Sequence, residues 1–420
     1  MRILFLSNFF PPLHLGGYEE LPAEVAERLR ARQHRVDILT SNWRAQTTGA
    51  EPYVHRRLHL EVDMRPGYGT LGFFAGRARR AAANIARLEE TVIATRPDVI
   101  VAWGMWNVPR GLLAHAEGWG RPPLVYYVSD YWPTLPDGYT LHWRAASRRW
   151  WTSAPKRALA WAIERAQPTL PVPTLRFEHA VCVSRAVRTR LIEAGLPFAD
   201  AAVIYNGIDL SSFPFQPRAE RPPRDPLEVG FLGRLAPEKG YDTLLSAMRL
   251  LVERDLRITL TVAARAEPAA IAALHRHIER LGLRQRVSVR TSVPRAGVPA
   301  LLAELDVVVV PSLWPEPFAR VIHEAMATGA AVVATQIGGT VEVVEHGVNG
   351  LLFPPGDAPA LAGSIERLHG DPALRASLAA AARRTVETRF DLTRTVAELE
   401  ALLLRVCAEQ RDSGQSAVPA

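Results

Sequence analysis

Residues 307–335 decide the fold of this 420-residue chain, and they read VVVVPSLWPEPFARVIHEAMATGAAVVAT. Four consecutive valines predict a buried strand that stops at Pro311. Residues 319–328 are mostly good helix formers, and Gly329 is typical of a helix end. Residues 330–335 then return to an apolar strand. A strand, a helix and a second strand in this order predict a parallel α/β sheet.

Two acidic residues of this stretch, Glu316 and Glu324, are candidates for ligand binding. Glu316 follows the carboxyl end of the first strand, and Glu324 lies one to two turns into the helix. Ligands bind at that edge of open α/β sheets. Because ionised carboxylates only accept hydrogen bonds, two of them suit a ligand with many hydroxyl groups. The alternative is that each is an ordinary solvent-exposed glutamate.

A second motif occupies residues 229–241, which read VGFLGRLAPEKGY. A strand, a glycine-containing loop and a helix that begins near Tyr241 allow a ligand to approach the backbone closely. The helix N-terminus favours negative charge, and Arg234 and Lys239 would neutralise a diphosphate. Lys239 is the more informative of the two, since all but two of the 50 basic residues are arginine. The alternative is a turn with two solvated charges.

The bulk composition fits a two-domain protein of the globular class. The net charge of +7 favours anionic partners, but the arginines are dispersed and no nucleic-acid motif is visible, so no nucleic-acid partner is predicted. Cys182 and Cys407 are the only cysteines, which predicts a reducing cytoplasm and neither a disulfide framework nor a metal site. No apolar run reaches the ~18 residues that span a bilayer. The apolar start of the chain is interpreted as a first strand rather than a signal peptide.

Two further glycine-containing stretches complete the pattern: residues 11–19, PPLHLGGYE, and residues 338–352, GGTVEVVEHGVNGLL. In order and spacing the four stretches resemble those of the retaining glycosyltransferases of family 4, and the resemblance covers nearly the whole chain. It implies the GT-B fold, an α/β architecture in which two Rossmann-like domains with doubly wound parallel sheets face a cleft.

The resemblance and the composition together predict the domain boundaries. We expect an acceptor-side domain over residues 1–215, with a Trp/Arg-rich insertion at about 139–176. The nucleotide-sugar-binding domain is expected over residues 216–389. A helix over residues 390–411 would cross back to the first domain, and residues 412–420 would form a disordered tail.

The resemblance also implies roles for individual residues. Glu316 would be catalytic, contacting the transferred sugar where positive charge develops, and Glu324 would hold the ribose hydroxyls. Arg234 and Lys239 would hold the donor diphosphate. The full expected donor-binding set is Gly16, Gly17, Arg234, Lys239, Phe318, Glu324, Gly338 and Gly339.

The chain departs from the family pattern at several places, and two of them bear on the predicted site. Ala319 replaces the glycine of Glu-Pro-Phe-Gly, which puts the identity of the sugar in doubt. Ser129-Asp130 stands where a His-Asp pair is common, so Asp130 becomes the second catalytic candidate, orienting the acceptor hydroxyl or stabilising developing positive charge. The alternative for Asp130 is a cap or turn residue before Pro133. By position alone, His14 is a further candidate.

The implied reaction is the retaining transfer of a sugar from a nucleoside-diphosphate sugar to a hydroxyl acceptor, in the synthesis of a cell-surface polysaccharide, a glycolipid or a natural-product glycan. No D-x-D sequence occurs, so we expect no metal, and no cofactor is expected. Two alternatives stay open: a nucleotide-sugar epimerase or hydrolase of similar fold, and a non-catalytic nucleotide-sugar-binding protein.

Residues 139–165 concentrate tryptophan and arginine, a combination that suits an interface with anionic lipid. This pattern predicts a cytoplasmic protein in peripheral contact with the inner face of a membrane, and a lipid-linked acceptor. The alternative is a helical insertion whose tryptophans pack on the domain core and whose arginines are solvated.

Overall fold

A computed structural model describes residues 1–13, 17–45, 51–62, 76–136, 154–155, 158, 161, 173–217, 225–291 and 293–415. The chain divides into two compact units. The first unit comprises Met1–Val183, Val187–Ile204 and Val396–Ala420, and the second comprises Ser184–Ala186 and Tyr205–Thr395. Most of the predicted Trp/Arg-rich insertion lies outside the described residues.

The first unit is built on a parallel sheet. In the described part of the chain its strands are β1 (Arg2–Ser7), β2 (Arg35–Ser41), β3 (Val54–Leu58), β4 (Val99–Trp103), β5 (Leu124–Val128), β6 (His179–Cys182) and β7 (Ala202–Val203). They are ordered β3-β2-β1-β4-β5-β6-β7, and every neighbouring pair is parallel. The helices α1 (Leu21–Ala31), α2 (Arg77–Thr95), α3 (Arg110–Gly118) and most of α4 (Arg185–Glu193) belong to this unit.

The second unit repeats this plan. Its described strands are β8 (Leu227–Arg234), β9 (Ile258–Arg265), β10 (Val287–Thr291), β11 (Val307–Val310), β12 (Ala331–Thr335) and β13 (Leu351–Phe353). They are ordered β10-β9-β8-β11-β12-β13, all parallel. Its helices are α5 (Tyr241–Glu253), α6 (Pro268–Arg280), α7 (Val298–Glu304), α8 (Arg320–Thr328), α9 (Thr340–Val343), α10 (Ala358–Gly370) and α11 (Pro372–Arg389).

Strands in the middle of both sheets are largely buried, as expected of parallel sheets, whose faces are normally covered by helices. All four valines of β11 are buried, as are all five residues of β12. In both sheets the strand order reverses beside the first strand, between β1 and β4 and between β8 and β11. Loops at the carboxyl ends of two such strands border a crevice, which is the usual ligand site of a doubly wound sheet. The prediction of two doubly wound parallel sheets is confirmed.

The predicted boundaries agree with the structure to within one residue where the motifs are clear: α5 begins at Tyr241 as predicted, and the strand predicted over residues 330–335 is β12, Ala331–Thr335. A 3-10 turn, Gly17–Glu19, precedes α1, so the α-helix begins only at Leu21. Pro22 at the second position of α1 explains the late start, because the first turn of a helix tolerates a residue without a backbone N–H.

The last helix, α12, covers Leu392–Gln415. It therefore continues into residues 412–420, for which disorder was predicted, and residues 416–420 lie outside the described range. From Val396 onward the helix belongs to the first unit. Its Glu400 pairs there with Arg32 and His34, each at 2.5 Å. Every helix in the described ranges is too short or too polar to be a candidate membrane span.

Candidate functional site

The loop after β8 is packed tightly against the loop after β11. After the strand ends, the 3-10 turn Pro237–Lys239 leads into Gly240, which has φ +68°. A Cβ on Gly240 would lie 1.8 Å from the Pro311 carbonyl oxygen. The Leu313 N–H donates to the Glu238 carbonyl oxygen at 2.8 Å. Glycine at position 240 therefore permits both the left-handed conformation and the close approach of the two loops.

Glu316, predicted to be catalytic, and Lys239, predicted to bind the diphosphate, form an ion pair. The Lys239 Nζ donates to Glu316 Oε1 at 2.6 Å, and the Ser312 hydroxyl donates to the same oxygen. The Glu316 side chain is 7% exposed and that of Lys239 is 21% exposed. A buried carboxylate requires such compensation. Ser312 was not predicted as a site residue, although its position at the end of β11 is a usable signal.

Glu324 is the second buried carboxylate, in the second turn of α8. The Arg295 Nη1 donates to Glu324 Oε1 at 2.5 Å, and the Arg320 Nε lies 3.7 Å from the same oxygen. The guanidinium of Arg295 also lies over the ring of Phe213, 5.1 Å from its centroid. Sequence reasoning missed both arginines. Arg320 could have been predicted, because it lies four residues before Glu324 on the same helix. Nothing in the local sequence connects Arg295 with Glu324.

The paired glycines after β12 allow that loop to lie on the backbone of the Glu316 loop. Gly338 has φ +59°, and a Cβ there would lie 2.6 Å from the Glu316 carbonyl oxygen. A Cβ on Gly339 would lie 2.1 Å from the Pro317 carbonyl oxygen. The Gly339 N–H donates to the Glu316 carbonyl oxygen at 2.7 Å. These two predicted site residues therefore hold the backbone of a third, Glu316.

Phe318 lies in an aromatic cluster behind the loop. It is 6% exposed, and its ring packs on Tyr205, His323 and Phe390, with centroids 4.6–5.6 Å away. Burial lowers the pKa of His323 to about 3, so the imidazole is neutral. Its Nδ1 donates to the Ala319 carbonyl oxygen at 3.3 Å. The Phe318 side chain thus supports the loop by packing, and its assignment to donor binding stays a prediction.

Arg234 is the most exposed of the predicted donor-binding side chains. It is 60% exposed and lies 3.6 Å from Glu238, four residues along the chain. Exposed pairs of this kind stabilise a protein by only about 0–1 kcal/mol. Arg234 can therefore leave Glu238 for a ligand with little loss of stability. Its role in binding phosphate stays a prediction.

The remaining predicted residues belong to the first unit. The Asp130 Oδ1 accepts the Trp132 N–H at 2.7 Å. Burial raises the pKa of Asp130 to about 6, and the bond from Trp132 acts in the opposite direction. The turn role is therefore present, while the catalytic role stays a prediction. Gly17 is exposed and opens the first 3-10 turn; Gly16 and His14 lie outside the described residues.

Comparisons with known proteins agree with this architecture. The family model described as Glycosyltransferase Family 4 matches residues 15–212, and that described as Glycosyl transferases group 1 matches residues 212–385. A D-inositol 3-phosphate glycosyltransferase of Xylanimonas cellulosilytica is 35% identical over 411 residues, which cover 91% of each chain. Glycogen synthase of Mycobacterium tuberculosis is 28% identical over 415 residues, 93% of this chain and 91% of that protein.

Among solved structures, Anabaena Alr3699/HepE in complex with UDP-glucose is similar over 96% of this chain and 99% of its own, with 27% identity and a TM-score of 0.66. Two Rossmann-like units, each with a reversal of strand order beside its first strand, together with these matches identify a glycosyltransferase of the GT-B fold. The chain belongs to glycosyltransferase family 4, whose C-terminal part is the group 1 glycosyl transferase domain. The predictions of this family, this fold and this class of enzyme are confirmed.

Proposed function

We propose that this enzyme is a retaining, metal-independent glycosyltransferase that moves a sugar from a nucleoside-diphosphate sugar to a hydroxyl acceptor. The main support is the ion pair of Lys239 with Glu316, which forms where the loops after β8 and β11 meet. We further propose a uridine nucleotide and glucose as the donor's parts, since Alr3699/HepE, 27% identical, was crystallised with UDP and with UDP-glucose.

The loop after β8 is suited to a diphosphate. Within the described part of the chain, Glu316 is the partner of Lys239, and an ammonium group has three N–H donors. Two donors therefore remain for phosphate oxygens. Arg234 is exposed on the same loop. Helix α5 begins directly after Gly240, and its N-terminal N–H groups favour an anion.

Glu316 is suited to a different part of the reaction. As the bond between the sugar and the phosphate breaks, positive charge develops on the sugar ring, and a fixed carboxylate stabilises it. Both described donors to Glu316 act on Oε1. The other oxygen, Oε2, has no partner in the described part of the chain and is not fully buried, so it can face the sugar.

The proposal also covers the acceptor, the cellular compartment and a contact with the membrane. The acceptor is a hydroxyl of a growing glycan, a lipid-linked sugar or a small molecule, and Asp130 is the candidate for orienting it. We propose a cytoplasmic enzyme that contacts anionic lipid through its Trp/Arg-rich residues 139–165. Cosedimentation with anionic liposomes at low salt tests this last part, and absence of binding would exclude it.

A thermal-shift experiment tests the donor site. UDP, GDP, ADP and dTDP are added in EDTA to the wild type, Lys239→Ala, Lys239→Arg and the control Arg249→Ala. Arg249 pairs with Glu253 on the exposed face of α5, outside the site. A ligand at ~100 times its Kd stabilises by about 2.7 kcal/mol, a readable shift. We expect UDP to stabilise the wild type and the control.

For Lys239→Ala we expect UDP affinity to fall roughly tenfold to a hundredfold, because hydrogen bonds to charged groups contribute about 1.5–3 kcal/mol. Lys239→Arg keeps the positive charge but not the compact ammonium group. Its affinity for UDP should therefore lie between those of the wild type and Lys239→Ala. No shift with any diphosphate would refute the proposed donor site. Transfer from UDP-glucose in EDTA, with the anomer of the product assigned by NMR, then tests retention and metal independence.

A further inference from the structure

We propose that Arg295 is a positioning residue for nucleotide recognition. It holds Oε1 of Glu324 so that Oε2 accepts hydrogen bonds from the vicinal hydroxyls of a ribose. The site then selects ribonucleoside diphosphates over nucleotides that lack these hydroxyls. This inference rests on the proposed function and on the ribose-holding role that the family resemblance implies for Glu324; what it adds is the part played by Arg295.

The contacts of Glu324 divide its two oxygens into different roles. Arg295 Nη1 lies 2.5 Å from Oε1, and Arg320 Nε approaches the same atom at 3.7 Å. Within the described residues Oε2 has no hydrogen bond, yet it is not fully buried. The side chain as a whole is 7% exposed. One oxygen is therefore committed to the protein, and the other is open to a ligand.

Arg295 can fix this orientation because it is itself fixed. It lies in the 3-10 turn Arg295–Gly297, between β10 and α7, and its guanidinium rests on the buried ring of Phe213. Arg320 does not hold the carboxylate in this orientation, since its Nε lies 3.7 Å from Oε1, beyond hydrogen-bond distance. Without Arg295, Glu324 would lose its one close donor among the described side chains. The carboxylate could then rotate toward Arg320, and Oε2 would no longer be held in place for the ribose.

The charge around Glu324 complements a carboxylate that accepts hydrogen bonds. Two arginines, Arg295 and Arg320, lie within 4 Å of its Oε1. An ionised carboxylate accepts from both ribose hydroxyls at once, whereas a protonated one would present an O–H donor. A nucleotide without the hydroxyls would leave the carboxylate oxygen unpaired in a largely desolvated place, which costs affinity.

The experiment compares each nucleotide with its dideoxy form. Isothermal titration gives the Kd of UDP and of 2′,3′-dideoxy-UDP for the wild type, Arg295→Ala, Arg295→Lys and the control Arg290→Ala. Arg290, on the neighbouring β10, pairs with Glu304 at 2.8 Å on the surface. GDP and ADP with their dideoxy forms are titrated in parallel, so that the inference does not depend on the base.

We expect the wild type and Arg290→Ala to bind the ribonucleotide at least about tenfold more tightly than its dideoxy form, the equivalent of one charge-assisted hydrogen bond. Arg295→Ala should bring this ratio to about threefold or less while the Kd of the dideoxy nucleotide changes by less than about twofold. Arg295→Lys should restore part of the ratio. Unchanged binding of the dideoxy nucleotide also shows that the variant is folded.

Two results would overturn the inference alone: a ratio that Arg295→Ala leaves unchanged, or an equal loss of affinity for both forms of the nucleotide. The second would mean that Arg295 acts on the phosphates or on the fold rather than on the ribose. If the wild type binds none of the diphosphates, the proposed function fails and this inference fails with it.

Discussion

A comparison of Gly338→Ala with Gly347→Ala isolates the role of the glycine loop that lies on Glu316. Both glycines have positive φ, +59° and +77°. A Cβ on Gly347 would meet no heavy atom within 4 Å, whereas a Cβ on Gly338 would lie 2.6 Å from the Glu316 carbonyl oxygen and 2.8 Å from its nitrogen. The two substitutions therefore share the backbone strain and differ in the steric clash.

The expected magnitudes follow from this difference. The left-handed conformation costs an alanine roughly 1–2 kcal/mol, and both variants lose this amount. The clash in Gly338→Ala involves backbone atoms that cannot rotate away, so we expect a further loss of about 1–3 kcal/mol, as in an overpacked core. In a unit of this size each kcal/mol lowers the Tm by about 2–4 °C.

Differential scanning fluorimetry with and without UDP measures both consequences. Gly347→Ala should lower the Tm modestly and keep the full stabilisation by UDP. Gly338→Ala should lower the Tm by roughly twice as much and lose part of the UDP shift, because the backbone of Glu316 moves. Equal falls in Tm, or a full UDP shift in Gly338→Ala, would refute the reasoning that this loop positions Glu316.

Two further substitutions test Asp130 and Ser312. Because the folded pKa of Asp130, about 6, exceeds the ordinary 3.8, stability is lost as pH rises between these values. Asp130→Asn keeps the oxygen that accepts the Trp132 N–H, so its stability should match that of the wild type near pH 4. At pH 7 the variant should be more stable than the wild type by about 1–3 kcal/mol. Urea unfolding measures this, and parallel dependence of the two stabilities on pH would contradict it. Ser312→Ala removes one donor to Glu316 Oε1, and should lower kcat with UDP-glucose about threefold to tenfold with the Kd of UDP changed by less than about twofold. A loss confined to the Kd would contradict the second expectation.

The local motifs made much of the second unit predictable. The valine run of β11, the helix after it and Gly329 give clear boundaries, and Gly329 indeed ends α8 with φ +87°. The edge strands carry weaker signals. β3 reads VHRRL and is only partly buried, and β13 has three residues, Leu351–Phe353, so neither shows a periodicity that sequence reasoning can use.

Some contacts between site residues could likewise be predicted from the sequence, and others could not. Lys239 and Glu316 belong to separate motifs, but each motif places its residue at a strand end, so the topology of a doubly wound sheet predicts that they meet. The pairing of Arg295 with Glu324 depends on how the turn after β10 packs, which no spacing in the sequence encodes. Long-range packing, not local propensity, determines which cation reaches a buried carboxylate.

The two carboxylates differ in how they respond to an incoming donor. Arg295 contacts Phe213 and Glu324 Oε1, so nucleotide binding at Oε2 can leave this ion pair intact. Lys239 instead has to serve Glu316 and the diphosphate together. An ammonium with three donors can bridge both anions, but its attraction to Glu316 weakens as the phosphates share it. Ser312, 1% exposed and bonded to the same oxygen, then becomes the donor that fixes Glu316 while the sugar is transferred. For this reason the loss of Ser312 should affect turnover more than nucleotide binding.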